Sequence, residues 1–397
     1  MGQNQPFIYV TANYRLSAFG FMPGKEILQE GSSNAGVLDQ RMALEWVADN
    51  IQAFGGDPKK VTIWGESAGS ASVMSQMLLY GGNATYKSKP LFRGGIMDSG
   101  TIFPSDPIDC SKGQALYDQI ARDTGCSGAQ DTLEYLRQVD YNVLCKVVST
   151  FPQIRSYHGP GLVFHPRPDG NVLVDSPEVQ IRKGQFFAVP IIVGHQEDEG
   201  TLLGLFQKNV TTPADMANYL HQTLFSHAPL DKLREVVDMY EPALVQGSPY
   251  RTGPLNELYP GFKRVAATVG DLAFILTRRV TLEYFTKVKP KVPVWSYQAS
   301  YFHGLSILGT FHTSDLVQVF YRIPVNYAMK SSRTYCFNFL YNLDPDSGVG
   351  GFARWPDWRE NQQLMWFETP SRNSIIKDDF RKNASDWLGQ NMDVLRT

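Results

Sequence analysis

The five residues Gly65-Glu66-Ser67-Ala68-Gly69 carry the clearest chemical signal in this sequence. They match G-x-S-x-G, in which a serine stands on a sharp turn between a strand and a helix and offers its hydroxyl as a nucleophile. The surroundings supply what that chemistry needs. Val61 to Trp64 is a short apolar run ahead of the motif, and Ala68 to Leu79 has helical spacing after it. A serine at that junction sits at a helix N-terminus, whose dipole favours the negative charge that develops during attack. The flanking glycines would let neighbouring backbone approach the turn, and the Ala68 amide would face the developing oxyanion. The bland alternative is a glycine-flanked serine in an ordinary turn, and the strand and helix around it weigh against that. A near-match, Gly31-Ser32-Ser33-Asn34-Ala35, follows no strand and reads as a loop.

A serine nucleophile of this type needs a base and an acid, which follow in the order serine, acid, histidine, each in a loop after a strand. Gly194-His-Gln-Glu197-Asp198-Glu199-Gly200 follows the apolar run Val189 to Val193 and offers three acids. His303 and His312 both follow the run Val292 to Tyr297. The residues by themselves leave the acid open among Glu197, Asp198 and Glu199, and the base open between the two histidines.

These groups require a sheet to hold them. Phe7 to Asn13 is β-branched and aromatic and predicts a buried strand. Val61 to Trp64, Gly95 to Met97, Val189 to Val193 and Val292 to Tyr297 predict further buried strands. Leu38 to Ile51 predicts a helix, with Leu38, Met42, Leu44, Trp46, Val47 and Ile51 mostly on its apolar face. Strands alternating with helices predict an α/β fold: a mostly parallel sheet covered by helices on both faces. Between residues 211 and 290 the apolar residues recur at helical spacing, as in Leu230, Leu233, Val236, Val237 and Tyr240, which reads as a helical insertion within one domain spanning 1–397.

The ordered segments resemble the type-B carboxylesterase/lipase family, which includes the cholinesterases, and within it the fungal lipase branch. They are Asn13-Tyr-Arg15, Asn34-Ala-Gly-Val-Leu-Asp-Gln-Arg41, Phe54-Gly-Gly-Asp-Pro58, Gly65 to Gly69, Pro166-Arg-Pro-Asp-Gly170, Asp198-Glu-Gly-Thr201 and Gly309-Thr-Phe-His312. The resemblance implies an α/β-hydrolase fold and a serine carboxylic-ester hydrolase acting through an acyl-enzyme on lipid or other apolar esters. It implies Glu199 as the acid and His312 as the base beside Ser67. It also implies Ala68 as an oxyanion donor, with Ser99 near the histidine and Glu66 beside the nucleophile as supporting residues. No metal or organic cofactor is needed for such a reaction.

Two expectations concern what this sequence lacks relative to that family. Its glycine-rich loop, which supplies further oxyanion donors, would precede Phe7, and none is present there. Met1 is therefore expected to be an internal methionine of a longer, exported parent, with the fold truncated at its N-terminus. A family disulfide near Cys126 is expected to be lost, since Tyr135 stands where its partner would be.

Composition bounds the remaining classes. The 397 residues, 43% of them hydrophobic, suffice for a large core. A formal charge of -2 provides no basic stripe for a nucleic acid. The sequence contains no run of about 18 apolar residues that could cross a membrane, and its N-terminus lacks the features of a signal peptide. Cys110, Cys126, Cys145 and Cys336 have no CxxC spacing, so a zinc site is not expected. Asn83, Asn209 and Asn383 head N-x-S/T triplets and would accept glycans in an exported protein. The expected partner is a small-molecule or lipid ester, with transient contact to a lipid surface and an extracellular location implied by the resemblance. A non-catalytic, cholinesterase-like binding domain or inactive fragment is the alternative, against which Ser67, Glu199 and His312 all stand.

Overall fold

A computed structural model of the protein describes residues 6–240, 244–301, 303–304, 306–320, 326–369 and 371–397. The strands are β1 (Thr62–Glu66), β2 (Thr85–Tyr86), β3 (Lys89–Pro90), β4 (Gly94–Asp98), β5 (Ile191–Gln196), β6 (Val294–Ala299), β7 (Gln363–Thr369) and β8 (Arg372–Lys377). The main sheet has the order β1-β4-β5-β6-β7-β8, and β2 pairs with β3 apart from it. Every neighbouring pair from β1 to β7 is parallel, and the hairpin β7–β8 closes the far edge antiparallel.

Alternate residues of the central strands enter two separate apolar clusters, as a sheet buried on both faces requires. Met97, Ile191, Val193, Val294 and Leu364 face one side, where helices Ala68–Gly82, Leu276–Val288 and Lys382–Asn391 supply Val73, Met77, Leu276, Val280, Trp387 and Leu388. Ile96, Ile192, Trp295, Tyr297 and Met365 face the other, covered by Tyr335 and Phe339 of the helix Tyr327–Asn342. This is the expected α/β-hydrolase layering. Helices Pro213–Thr223, Leu230–Val237, Phe262–Gly270 and Leu276–Val288 occupy the segment that carried helical spacing.

The structure corrects three expectations about the elements. Phe7 to Asn13 is not a buried strand. It runs without secondary structure, and Phe7, Ile8, Tyr9 and Val10 are all exposed. A strand exists only through a ladder partner, and β1 bonds to β4 alone among the described residues. The run instead leans its rings on Phe337 and Phe320, and Pro6 O accepts from the Tyr341 hydroxyl. The helix Ala35–Asn50 forms, yet its apolar residues divide: Val37 and Val47 are buried while Met42 and Trp46 are exposed. The third difference is one of register. The two strands expected to start at Val189 and Val292 begin two residues later, because Pro190 and Pro293 cannot donate to a ladder.

The loop reading of Gly31 to Ala35 agrees with the structure. Asn34 is buried there and clamps the 167–169 segment, accepting from Arg167 N at 3.0 Å and donating to Arg167 O at 2.8 Å. All four cysteines are unpaired, and buried Cys126 accepts from Thr124 Oγ1 at 3.2 Å. Among the described residues no helix is long and apolar enough to cross a membrane.

Candidate active site

Ser67 follows directly on β1 and precedes the helix Ala68–Gly82, with φ 57° and ψ -119°. A non-glycine residue at positive φ pays a steric cost, and the surroundings must hold it there. They do so through backbone: Ser67 N donates to Asp98 O at 2.9 Å, and Ser70 Oγ donates to Gly100 O at 2.6 Å. Gly65 is needed in this turn, since a Cβ there would lie 2.2 Å from the backbone C and O of Gly69. Gly69 is different. A Cβ there would meet nothing within 4 Å, so the expectation that both glycines relieve crowding holds for Gly65 alone.

The loops after β5 and β6 bring the other two groups to the serine. His312 Nε2 lies 2.7 Å from Ser67 Oγ, and His312 Nδ1 lies 2.6 Å from Glu199 Oε2. Glu199 is fully buried, and its other oxygen accepts from Gln196 N at 2.7 Å. A carboxylate accepting at Nδ1 keeps the ring proton there and leaves Nε2 free to accept the serine proton. His312 is itself buried. Burial disfavours its charged form, but the negative Glu199 and Glu66 outweigh this and hold its pKa above the ordinary value. Phe274 stacks against the imidazole with ring centroids 4.6 Å apart.

The alternatives left open by the residue types separate clearly. His303 Nε2 lies 3.4 Å from Asp198 Oδ2, whereas it is His312 that meets Ser67. Glu197 is engaged by Arg251, whose Nε donates at 2.7 Å. Asp198 braces loops, accepting Ser248 Oγ and Tyr250 N at 2.8 Å and Thr310 N at 2.9 Å. Glu197, Asp198 and His303 also lie close enough to share a cation. Their acceptor oxygens, however, are already filled by Arg251 and these donors.

The supporting residues are placed unequally. Glu66 Oε1 stands 3.4 Å from His312 Nε2, and burial pushes its carboxyl up to about 7. Ser99 is buried, but its hydroxyl has no hydrogen-bond partner among the described residues, so its link to the structure is backbone: Ser99 N donates to Gly194 O at 2.9 Å. Ala68 occupies the first helical position and is exposed. The first amides of a helix have no intrahelical acceptor, so its N–H is available to a ligand. Asn83, Asn209 and Asn383 are all exposed.

Sequence reasoning missed Phe274, Gln196 and the bracing role of Asp198. Asp198 had a signal, its place directly before Glu199. Phe274 had none, because it comes from a segment 38 positions from His312 in the chain.

Comparison with known proteins places the chain among related sequences and folds. A secreted triacylglycerol lipase of Gibberella zeae is 56% identical over 393 residues, covering 99% of this chain and 67% of that protein. Lipase 5 of Diutina rugosa is 43% identical, covering 90% of this chain and 64% of its own length. The chain thus spans about two thirds of the length of these relatives. In fold, the crystal structure of Aspergillus niger EstA superposes with a TM-score of 0.80 at 24% identity, covering 97% of this chain and 74% of that one. The model of the carboxylesterase family matches residues 2–385, and the chain belongs to that family.

Proposed function

We propose that the protein hydrolyses carboxylic esters of lipids through an acyl-enzyme on Ser67. The observation that carries this reading is the unbroken chain from Ser67 Oγ to His312 Nε2 and from His312 Nδ1 to Glu199 Oε2, at 2.7 and 2.6 Å. His312 takes the serine proton as Oγ attacks the ester carbonyl, and Glu199 stabilises the imidazolium that results. The Ala68 amide donates to the tetrahedral oxyanion. The proton then passes from His312 to the departing alcohol, and water activated by the same ring releases the acid.

Relatives named as secreted lipases support a lipid ester as substrate and an extracellular location, and transient contact with a lipid surface is part of the same proposal. Exposed Asn83, Asn209 and Asn383 suit glycosylation during export. A fluorophosphonate probe tests the chemistry. It should label Ser67 and no other serine, and Ser67→Ala should abolish labelling. A folded protein that stays unlabelled would overturn the reading. Turnover of p-nitrophenyl esters of increasing acyl length tests the substrate class, with rates rising toward long chains expected of a lipase.

A further inference from the structure

One row of residues crosses the sheet directly behind the nucleophile. Glu66 on β1 registers with Asp98 on β4, Asp98 with Gly194 on β5, and Gly194 with Tyr297 on β6. Gly194 is the window in this row. A Cβ there would lie 2.0 Å from the Tyr297 ring, so only glycine lets the ring pass over β5 toward β4. The Tyr297 hydroxyl thereby reaches Asp98 Oδ1 at 2.7 Å and, from its other side, Asp315 Oδ2 at 3.2 Å. All three residues are buried.

The proton count at this junction is informative. Tyr297 has one hydroxyl proton and two carboxyl neighbours, so both contacts are hydrogen bonds only if one carboxyl brings a proton of its own. Asp98 is supplied with donors on both oxygens, from Tyr297 and from Trp64 Nε1 at 2.6 Å. Asp315 Oδ1 is buried without a partner among the described residues. Asp98 is therefore the carboxylate, and Asp315 is the acid that donates to Tyr297 Oη. The groups facing Asp315 are Asp98 on β4, Glu199 after β5, Glu66 on β1, Cys336 on the helix Tyr327–Asn342, Tyr297 on β6 and His312 on its own loop. Burial and the three carboxylates push its carboxyl well above the ordinary range, and His312 opposes them.

Asp315 lies three residues beyond His312, and the chain between them is strained. Thr313 has φ +76°, which a β-branched residue avoids unless its neighbours are fixed. They are fixed on both sides. Upstream, Thr310 N donates to Asp198 Oδ2 at 2.9 Å. Downstream, Ser314 Oγ donates to Gln196 Oε1 at 3.1 Å, and Asp315 meets Tyr297. We propose that Asp98, Tyr297 and a protonated Asp315 form a brace that carries the register of the sheet to the histidine loop and positions His312 for Ser67. Neither Tyr297 nor Asp315 touches Ser67. Both are positioning residues, and the proposal rests on the roles given above to Ser67 and His312.

The test is the rate of fluorophosphonate labelling of the full chain, with ester kcat and KM, across pH. Tyr297→Phe removes the shared hydroxyl and should slow labelling and kcat about 10- to 100-fold with KM little changed, the scale of a small misplacement. Asp315→Asn keeps a donor toward Tyr297 and should label within a few fold of wild type, whereas Asp315→Ala should label as slowly as Tyr297→Phe. Asp315→Asn should also lack the alkaline decline that follows when Asp315 loses its proton. Thermal unfolding of each variant separates mispositioning from failure to fold. Labelling by Tyr297→Phe at the wild-type rate and pH profile, equal rates for Asp315→Asn and Asp315→Ala, or a wild-type alkaline decline in Asp315→Asn would overturn the brace alone. An unlabelled wild type would overturn the reading of Ser67 beneath it.

Discussion

Glu66 Oε1 lies 3.4 Å from His312 Nε2, the same ring nitrogen that meets Ser67 Oγ at 2.7 Å. The imidazole is thus bracketed by two carboxylates, Glu199 at Nδ1 and Glu66 at Nε2, and both favour its protonated form.

The proposed mechanism needs neutral His312, so activity should fall as pH drops through its raised pKa. Glu66→Gln removes one of the charges that raise it, and the acid limb of the kcat/KM profile should move to lower pH. The sign for stability is the reverse. A histidine whose folded pKa is raised contributes stability below its unfolded pKa of about 6.5 and loses it as pH rises through the folded value. Profiles from pH 4 to 9 on a soluble ester check the first statement, and an unmoved acid limb would refute it.

Glu199→Gln keeps the size of the side chain but allows its amide N–H to face Nδ1, which favours the wrong tautomer. A loss in kcat on the order of 10³- to 10⁴-fold is expected, with KM changed far less. Steady-state kinetics on a p-nitrophenyl ester read this directly.

Gly65→Ala places a methyl 2.2 Å from the Gly69 backbone, so the turn at Ser67 must open. The expected result is a fall in kcat of about 10²-fold or more together with a destabilisation of about 1–3 kcal/mol. Gly69→Ala meets no atom within 4 Å in this structure and should be far milder. Parallel labelling and urea unfolding of the two variants decide between them.

Asp378, just after β8, binds both Arg278 and Arg279 of the helix Leu276–Val288, at 2.6 and 2.9 Å, and accepts from Trp358 Nε1 at 2.9 Å. All three charged groups are buried. Asp378→Ala leaves two guanidinium groups without their anion and should cost about 3–5 kcal/mol in urea unfolding. Burial opposes ionisation of Asp378, but the two arginines prevail and hold its carboxyl well below the usual range. Its contribution should therefore be present above about pH 4, the unfolded value, and be lost as pH falls below that.

Secretion from a glycosylating host should add glycans at Asn83, Asn209 and Asn383, each exposed. Mass spectrometry before and after enzymatic deglycosylation reads occupancy site by site, and unmodified asparagine at all three would exclude the assignment.

The strand-turn-helix unit at Ser67 was legible because its signal is local: an apolar run, a glycine at the tight point, then helical spacing. The alternation of strand and helix that defines the sheet was legible for the same reason. Phe7 to Asn13 misled because β-branched and aromatic composition reports the capacity to form a strand, whereas a ladder neighbour decides whether one forms. Met42 and Trp46 misled similarly, since their spacing suits a buried face that the tertiary packing does not cover.

What the sequence by itself determined was the strand-turn-helix unit that presents Ser67 and the kind of sheet that holds it, with Glu199 and His312 indicated through family resemblance. Only the tertiary structure brought that acid and that histidine into a hydrogen bond, because residues 113 positions apart meet only when β5 and β6 lie in register. It also decided the surroundings of His312. The ring of Phe274, the charge of Glu66 and the path from Asp98 through Tyr297 to Asp315 arise from side chains converging across strands, a relation that spacing along the chain does not encode.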